Sequence, residues 1–269
     1  VFKKAKTAFH KGYQFADKVK LLFLAAYTSR PGFRLIINPV IRLLAKGNLI
    51  KVSVNSGFGR VVVLLRCPDI ESDYLSMTEI LLDNCYQFPF DRKFDIIVDG
   101  GGNTGLFTVL CNRDYSETNI LLFEPLEKNI EISKIHFKLN NAVAEIKKGI
   151  ISLNEGEVEF YVRNANNSSL DSGTPYNSTV NVTSYNLAKE LSKHKFSEAL
   201  IKLDIEGAEV DIIPDLLKNL PQKNLFIIGE LHNWAVHLKN LESTVGKYGY
   251  FLKTYNIDSI CLLFQIQRV

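Results

Sequence analysis

Phe94-Asp95-Ile96-Ile97-Val98-Asp99-Gly100-Gly101-Gly102-Asn103-Thr104-Gly105 decides the fold of this chain. A run of apolar and β-branched residues closes on an acid, passes through three glycines and continues into the helix-like Leu106 to Leu110, which reads as strand, tight turn, helix. Glycines belong in such a turn because it lets backbone approach a ligand closely and adopts positive φ, which a Cβ penalises. The unit opens a nucleotide-binding α/β sheet. Asn119-Ile120-Leu121-Leu122-Phe123 is a second buried-strand pattern, ending in Glu124-Pro125. An acid at the tip of that strand, facing the glycine turn, is placed to hold a ribose diol.

Two cofactor registers fit the turn. Gly100, Gly102 and Gly105 match the dinucleotide pattern G-x-G-x-x-G, a weak signal by itself. The second register is Asp99-x-Gly101-x-Asn103-x-Gly105, which resembles the first motif of the class I S-adenosylmethionine-dependent methyltransferases. That resemblance implies that Asp99 organises the turn and the methionine end of the cofactor, and that Glu124 binds the ribose hydroxyls.

Length and composition limit the alternatives. A chain of 269 residues holds one large α/β domain, or one domain with an extension, and leaves little room for a second catalytic domain. A net charge of +3 is too mild to imply a nucleic-acid partner. Cys67, Cys85, Cys111 and Cys261 are far apart, with no C-x-x-C pair, so neither a zinc site nor a disulfide framework is indicated. Plain thiols in a reducing compartment fit, and a cytoplasmic location is expected. The apolar run Leu21 to Tyr27 is too short to span a membrane, which takes roughly 20 residues. The first residue is Val rather than Met, so an upstream segment removed in processing stays open.

Outward from the decisive stretch, residues 1–50 read as a helical extension and residues 51–269 as the main domain. Apolar residues from Phe2 to Phe23 recur three or four apart, with Lys3, Lys4, Lys6, Lys11, Lys18 and Lys20 between them, which predicts a basic amphipathic helix or helix pair. It either caps the main domain or touches a partner or an anionic membrane surface. Another short helix is expected over 33–48. Lys51 to Val54 and Arg60 to Arg66 flank Asn55-Ser56-Gly57-Phe58-Gly59 as a hairpin, and Asp73 to Asn84 reads as a helix. Tyr86, just beyond it, is either a cofactor neighbour or ordinary packing.

Downstream of Glu124 the pattern predicts a helix over 127–141 with an αL stop at Asn140-Asn141, and a third strand over 144–152. A partner strand follows over 158–162, and then a polar loop over 164–178 that serves as a lid or as a plain connection. Thr183 or Ser184 is placed to cap a helix running to about Lys193. A fourth strand, Ala199 to Ile205, ends in Glu206-Gly207-Ala208-Glu209 and opens another helix. The fifth strand, Asn224 to Leu231, carries Glu230 and His232 at its end, and a helix covers 234–248. The last two strands, Tyr250 to Tyr255 and Ser259 to Gln267, are joined too tightly for a parallel crossover and so pair antiparallel. Fold class is therefore α/β: a Rossmann-like sheet of about seven strands with a C-terminal antiparallel hairpin.

The order of motifs resembles the FkbM family of methyltransferases. The resemblance rests on Ile97 to Gly105, Phe123-Glu124-Pro125 with Asn129 and Asn140-Asn141, and Glu155 to Phe160. It rests further on Glu230-Leu231-His232 and, most specifically, on Ile201-Lys202-Leu203-Asp204-Ile205-Glu206-Gly207-Ala208-Glu209. It covers about residues 60 to 235. Gly102 departs from it, since the family more often has alanine there. The resemblance implies methyl transfer from S-adenosyl-L-methionine, usually to a hydroxyl oxygen of a sugar, glycan or natural product.

Ligands of open α/β sheets bind beyond the carboxyl ends of the strands, which gathers Asp99, Glu124, Asp204, Glu206, Glu230 and His232 around one crevice. Asp99, Gly101, Asn103, Gly105 and Glu124 are assigned to the cofactor, with Gly149 and Ile150 as neighbours of the adenine. Asp204 and Glu206 are assigned to the acceptor side. His232 is the preferred base because an unperturbed imidazole titrates near neutrality. Three alternatives stay open: His232 as a structural group, Asp204 and Glu206 as electrostatic caps of the next helix, and a divalent metal held by Asp204, Glu206 and Glu230 or His232. No metal is assigned, and the partner expected is a small-molecule or glycan acceptor. The rival readings are a nicotinamide-dependent sugar-nucleotide oxidoreductase, for which no Tyr-x-x-x-Lys pair is found, and a non-catalytic cofactor-binding scaffold. His10, His136, His194 and His237 are expected at the surface.

Overall fold

The computed structural model describes residues 10–12, 14–29, 39–41, 43–57, 59–86, 92–162, 168–169, 177–256 and 261–268. Helix α1 (Phe15–Ser29) precedes the hairpin β1 (Leu49–Ser56) and β2 (Gly59–Arg66), then α2 (Ile70–Met77), which runs on as a π-helical turn, Thr78–Leu82. Next come β3 (Ile96–Gly100), α3 (Leu106–Asp114), β4 (Asn119–Glu124), α4 (Glu127–Asn140) and β5 (Glu145–Lys148). Four short strands follow: β6 (Ile150–Ile151), β7 (Gly156–Val162), β8 (Ser168–Ser169) and β9 (Ser178–Tyr185). The chain closes with α5 (Leu187–Ser192), β10 (Glu198–Leu203), α6 (Glu209–Asn219), β11 (Asn224–His232), α7 (Trp234–Lys247), β12 (Tyr250–Asn256) and β13 (Cys261–Arg268).

Seven strands form the main sheet in the order β12-β13-β11-β10-β3-β4-β5. The run from β11 to β5 is parallel, and β13 lies antiparallel between β11 and β12. Period-2 alternation sorts the side chains onto two cores. Ile97, Leu200, Phe226 and Ile228 pack with residues of α1, the hairpin, α2 and α3, whereas Ile96, Val98, Ile201 and Leu203 pack with α5, α6 and α7. Strand order reverses at β3, with β4 on one side and β10 on the other, which makes the ends of these three strands the switch point where open α/β sheets take their ligands. Register places Lys202 opposite Asp99 and Gly100 opposite Phe123, which brings the acidic tips level with one another.

Four expectations are corrected. The third strand is two: the chain leaves the main sheet at Gly149, where an added Cβ would lie 2.1 Å from the Thr183 carbonyl, and enters a separate four-stranded sheet, β6-β9-β7-β8. Residues 178–185 form strand β9, and the helix cap is Asn186, whose side chain accepts from the Lys189 amide at 2.9 Å. Polar residues on the exposed side of β9 hid its alternation, in which Val182 and Ser184 are the buried partners. His136 is fully buried, its Nδ1 donating to the Thr104 carbonyl at 2.7 Å and its Nε2 accepting from the Leu64 amide at 2.9 Å. Burial holds that imidazole below its usual pKa despite the bond to the Thr104 carbonyl.

The αL stop of α4 falls at Asn141, with φ 54°. Of the N-terminal basic helix, residues 1–9 and Tyr13 lie outside the described residues, as do 30–38, Arg42, Phe58, 87–91, most of the polar loop over 164–178, and 257–260. Among the described residues, no helix is long and apolar enough to cross a membrane.

Candidate active site at the strand ends

The turn after β3 is shaped by its positive φ values, 70° at Gly101, 46° at Asn103 and 74° at Gly105. A Cβ on Gly101 would lie 1.9 Å from the Asp204 carbonyl oxygen, so the turn and the acceptor-side strand approach as closely as bare backbone permits. Asp99 is fully buried beneath it; one carboxylate oxygen accepts from Thr108 Oγ1 at 2.8 Å and the other faces Lys202 Nζ at 3.4 Å. Asp99 thus ties the end of β3 to α3 and to β10.

Glu124 reaches back to the same turn. Its Oε2 accepts from the Asn103 amide at 2.8 Å, and its Oε1 from the Leu126 amide at 2.9 Å and Asn129 Nδ2 at 3.1 Å. A carboxylate has about four acceptor positions, and three of those of Glu124 are filled by these donors. Burial pushes the carboxyl up to about 7, against the three hydrogen bonds that favour its charged form. The Gly149 amide donates to the Glu124 carbonyl at 3.1 Å, which sets Gly149 and Ile150 beside the tip of β4. Behind Glu124 stands a buried relay from the N-terminal hairpin. Arg66 pairs with Asp73 at 2.6 Å and donates to Asn129 Oδ1 at 2.8 Å, which orients the amide that holds Glu124.

On the other side of the switch point the tips of β10 and β11 carry Asp204, Glu206, Glu230 and His232. Asp204 Oδ2 and Glu230 Oε1 each accept from the Tyr86 hydroxyl at 3.2 Å, and Lys202 Nζ lies 3.6 Å from Asp204 Oδ2. Glu206, held at φ 57°, faces His232 Nε2 at 3.5 Å, while His232 Nδ1 lies 3.5 Å from Glu209. At that distance Nδ1 makes an ion-pair contact and no hydrogen bond. Burial, and then the negative charges of Asp204, Glu209 and Glu230, outweigh His232 and push Glu206 up to about 7. Burial alone would lower His232, but Glu209, Glu206 and Asp204 raise it to about 9, so near neutrality the imidazole already carries its proton. Asp204, Glu230 and His232 can each bring one ligand atom within 4.8 Å of the others, a spacing open to a divalent cation.

The expected residues fall in two sets at the carboxyl ends of the strands: Asp99, Gly101, Asn103, Gly105, Glu124, Gly149 and Ile150 by β3 and β4, Asp204, Glu206 and His232 by β10 and β11. Glu209, the first residue of α6 and fully buried, accepts from the amides of Ile205 at 2.8 Å and Gly207 at 2.9 Å and so ties down the turn that leads into the helix. Lys202 and Glu209 stood in the family motif of the sequence with no role assigned to them. Their signal was there: a lysine set in the apolar run Ala199 to Leu203, and an acid at the first helical position after a glycine turn. Tyr86 lies against the acceptor carboxylates.

A model described as the Methyltransferase FkbM domain matches residues 99–252. Methyltransferase 1 of Beauveria bassiana (strain ARSEF 2860) is 28% identical over 165 residues, which cover 51% of this chain and 65% of that protein. Methyltransferase sdnD of Sordaria araneosa is 33% identical over 78 residues, or 29% of this chain and 30% of that one. The chain therefore spans less than two thirds of the length of either curated relative. Among solved structures, the FkbM methyltransferase of Methylobacillus flagellatus KT covers 98% of this chain and 58% of its own at 11% identity, with a TM-score of 0.44. With more than half of its length matched by the family model, this chain belongs to the FkbM family of S-adenosylmethionine-dependent methyltransferases.

Proposed function

We propose that this protein transfers a methyl group from S-adenosylmethionine to a hydroxyl oxygen of a sugar, glycan or other natural product. The observation that carries the reading is the contact between the two halves of the crevice: the Asp204 amide donates to the Gly100 carbonyl at 3.2 Å, so a group held by Asp204 or Glu206 sits next to the glycine turn. When bound, the sulfonium of the cofactor supplies a methyl group already activated for displacement.

The residues then have two tasks. Glu124 and the glycine turn hold the donor's ribose and amino-acid end, and Asp204, Glu206 and Glu230 orient the acceptor. Alignment of an oxygen about 3 Å from the methyl carbon, in line with sulfur, is the kind of positioning that supplies on the order of 7–11 kcal/mol. The proton of the acceptor hydroxyl would pass to a side chain at the strand ends as the methyl group is transferred. Glu206, at about 7, suits the proton acceptor better than His232, at about 9, which already holds a proton and instead steadies the Glu206 carboxylate. His232 thus becomes the partner of the base.

A second reading is favoured by the spacing of Asp204, Glu230 and His232: a divalent cation there would acidify the hydroxyl directly. The experiment is a mass-spectrometric screen for a gain of one methyl group on glycans and small alcohols incubated with the protein and S-adenosylmethionine, with and without EDTA. Methylation on oxygen that survives EDTA supports the carboxylate reading. Loss that Mg²⁺ restores supports the cation. Calorimetric binding of NAD but not of S-adenosylhomocysteine would overturn both.

A further inference from the structure

Lys202 lies in the middle of the sheet and is only 3% exposed. Its ammonium donates to the carbonyls of Gly100 at 3.1 Å and Gly101 at 2.8 Å, and faces Asp99 at 3.4 Å and Asp204 at 3.6 Å. The Tyr86 ring lies over it, 5.6 Å from Nζ to the centroid, and the Tyr86 hydroxyl continues to Asp204 and Glu230. An ammonium deep in a sheet has given up its hydration, and it persists only where opposed charges and carbonyl dipoles replace water. A leucine would fill the same space as packing. What distinguishes this lysine is how its partners divide: two carbonyls and Asp99 belong to the donor turn, and Asp204 belongs to the acceptor side.

We propose that Lys202 is a positioning residue that ties the donor turn to the acceptor carboxylates, with Tyr86 extending the tie to Glu230. The proposal rests on the reading of these strand ends as donor and acceptor sites. It has a specific consequence: a change of charge at Asp204 is felt at the donor site through Lys202. With Asp204 neutral, the ammonium is drawn towards Asp99 and away from the Gly101 carbonyl, and the turn loses its clamp.

The probe is S-adenosylhomocysteine, its affinity measured by calorimetry in a double-mutant cycle. Asp204→Asn is expected to weaken binding by at least about fivefold when Lys202 is present and by less than about twofold in the Lys202→Met background. Equal fold-changes in the two backgrounds overturn the proposal. Should Lys202→Met fail to fold, the ¹⁵N resonance of the Lys202 ammonium decides: a shift on addition of S-adenosylhomocysteine that Asp204→Asn alters supports the tie, and a resonance unmoved by either overturns it. A wild-type chain that binds no S-adenosylhomocysteine defeats the donor-site reading as well, whereas binding with additive effects defeats only the role of Lys202.

Discussion

Nε2 of His232, at the tip of β11, lies 3.5 Å from Oε2 of Glu206, just past the tip of β10. Glu206 occupies the left-handed region at φ 57°, and that turn swings its side chain across the neighbouring strand. The pair joins an imidazolium to a carboxylate in a half-buried place, where burial raises Glu206 and the surrounding carboxylates raise His232.

Stability should fall at alkaline pH because of His232. Its pKa is raised from 6.5 to about 9, so the stabilisation is fully present below about 6.5 and is lost as pH rises through 9. A shift of that size corresponds to on the order of 2–3 kcal/mol. Denaturant unfolding at pH 7 and pH 10 is expected to show this loss in the wild type and a flat response in His232→Gln. Equal slopes would remove the ion pair from the account.

Turnover should rise with pH through about 7, where Glu206 loses its proton. Glu206→Gln keeps the size of the side chain and removes its basicity. It is expected to slow methyl transfer by about 10²- to 10⁴-fold while leaving S-adenosylhomocysteine affinity within about twofold. A variant with wild-type turnover would assign the base elsewhere.

Donor binding should depend on a residue far from the donor. Arg66 holds Asn129, and Asn129 holds Glu124. Arg66→Met leaves Asp73 buried without its cation, which is expected to cost about 3–5 kcal/mol of stability. Asn129→Leu is the gentler probe: it removes one donor from Glu124, costs about 1–3 kcal/mol and weakens S-adenosylhomocysteine binding. Calorimetry on Asn129→Leu that finds unchanged affinity would show that Glu124 is oriented without it.

Gly102 offers a packing test. An added Cβ at Gly102 would sit 2.5 Å from Leu122 Cγ, and Leu122 is fully buried. Gly102→Ala is expected to destabilise by about 1–3 kcal/mol through overpacking, and Leu122→Val to relieve part of that in the double variant. Additive losses in thermal unfolding would mean that the turn moves instead of the leucine.

The sequence by itself determined the parallel β-α order, the glycine turn, the terminal hairpin and the acids at the strand tips. Each of these is written locally, in an apolar run that ends in an acid or a glycine. Local signal failed where a contact between distant segments set the conformation. Residues 144–152 look like one apolar strand until the Thr183 carbonyl packs against Gly149 and sends the chain into a second sheet. His136 looks like a surface group in a charged helix until Leu64 and Thr104 close over it.

Protonation also belongs to the tertiary level. An imidazole that titrates near neutrality in isolation is raised by carboxylates arriving from Glu206 and Glu209, and Lys202 becomes part of the site only because register sets it opposite Asp99. Which residues stand at the tips is a property of the chain read in order. Which of them hold charge there depends on burial and on neighbours many residues away, and those exist only once the sheet has formed.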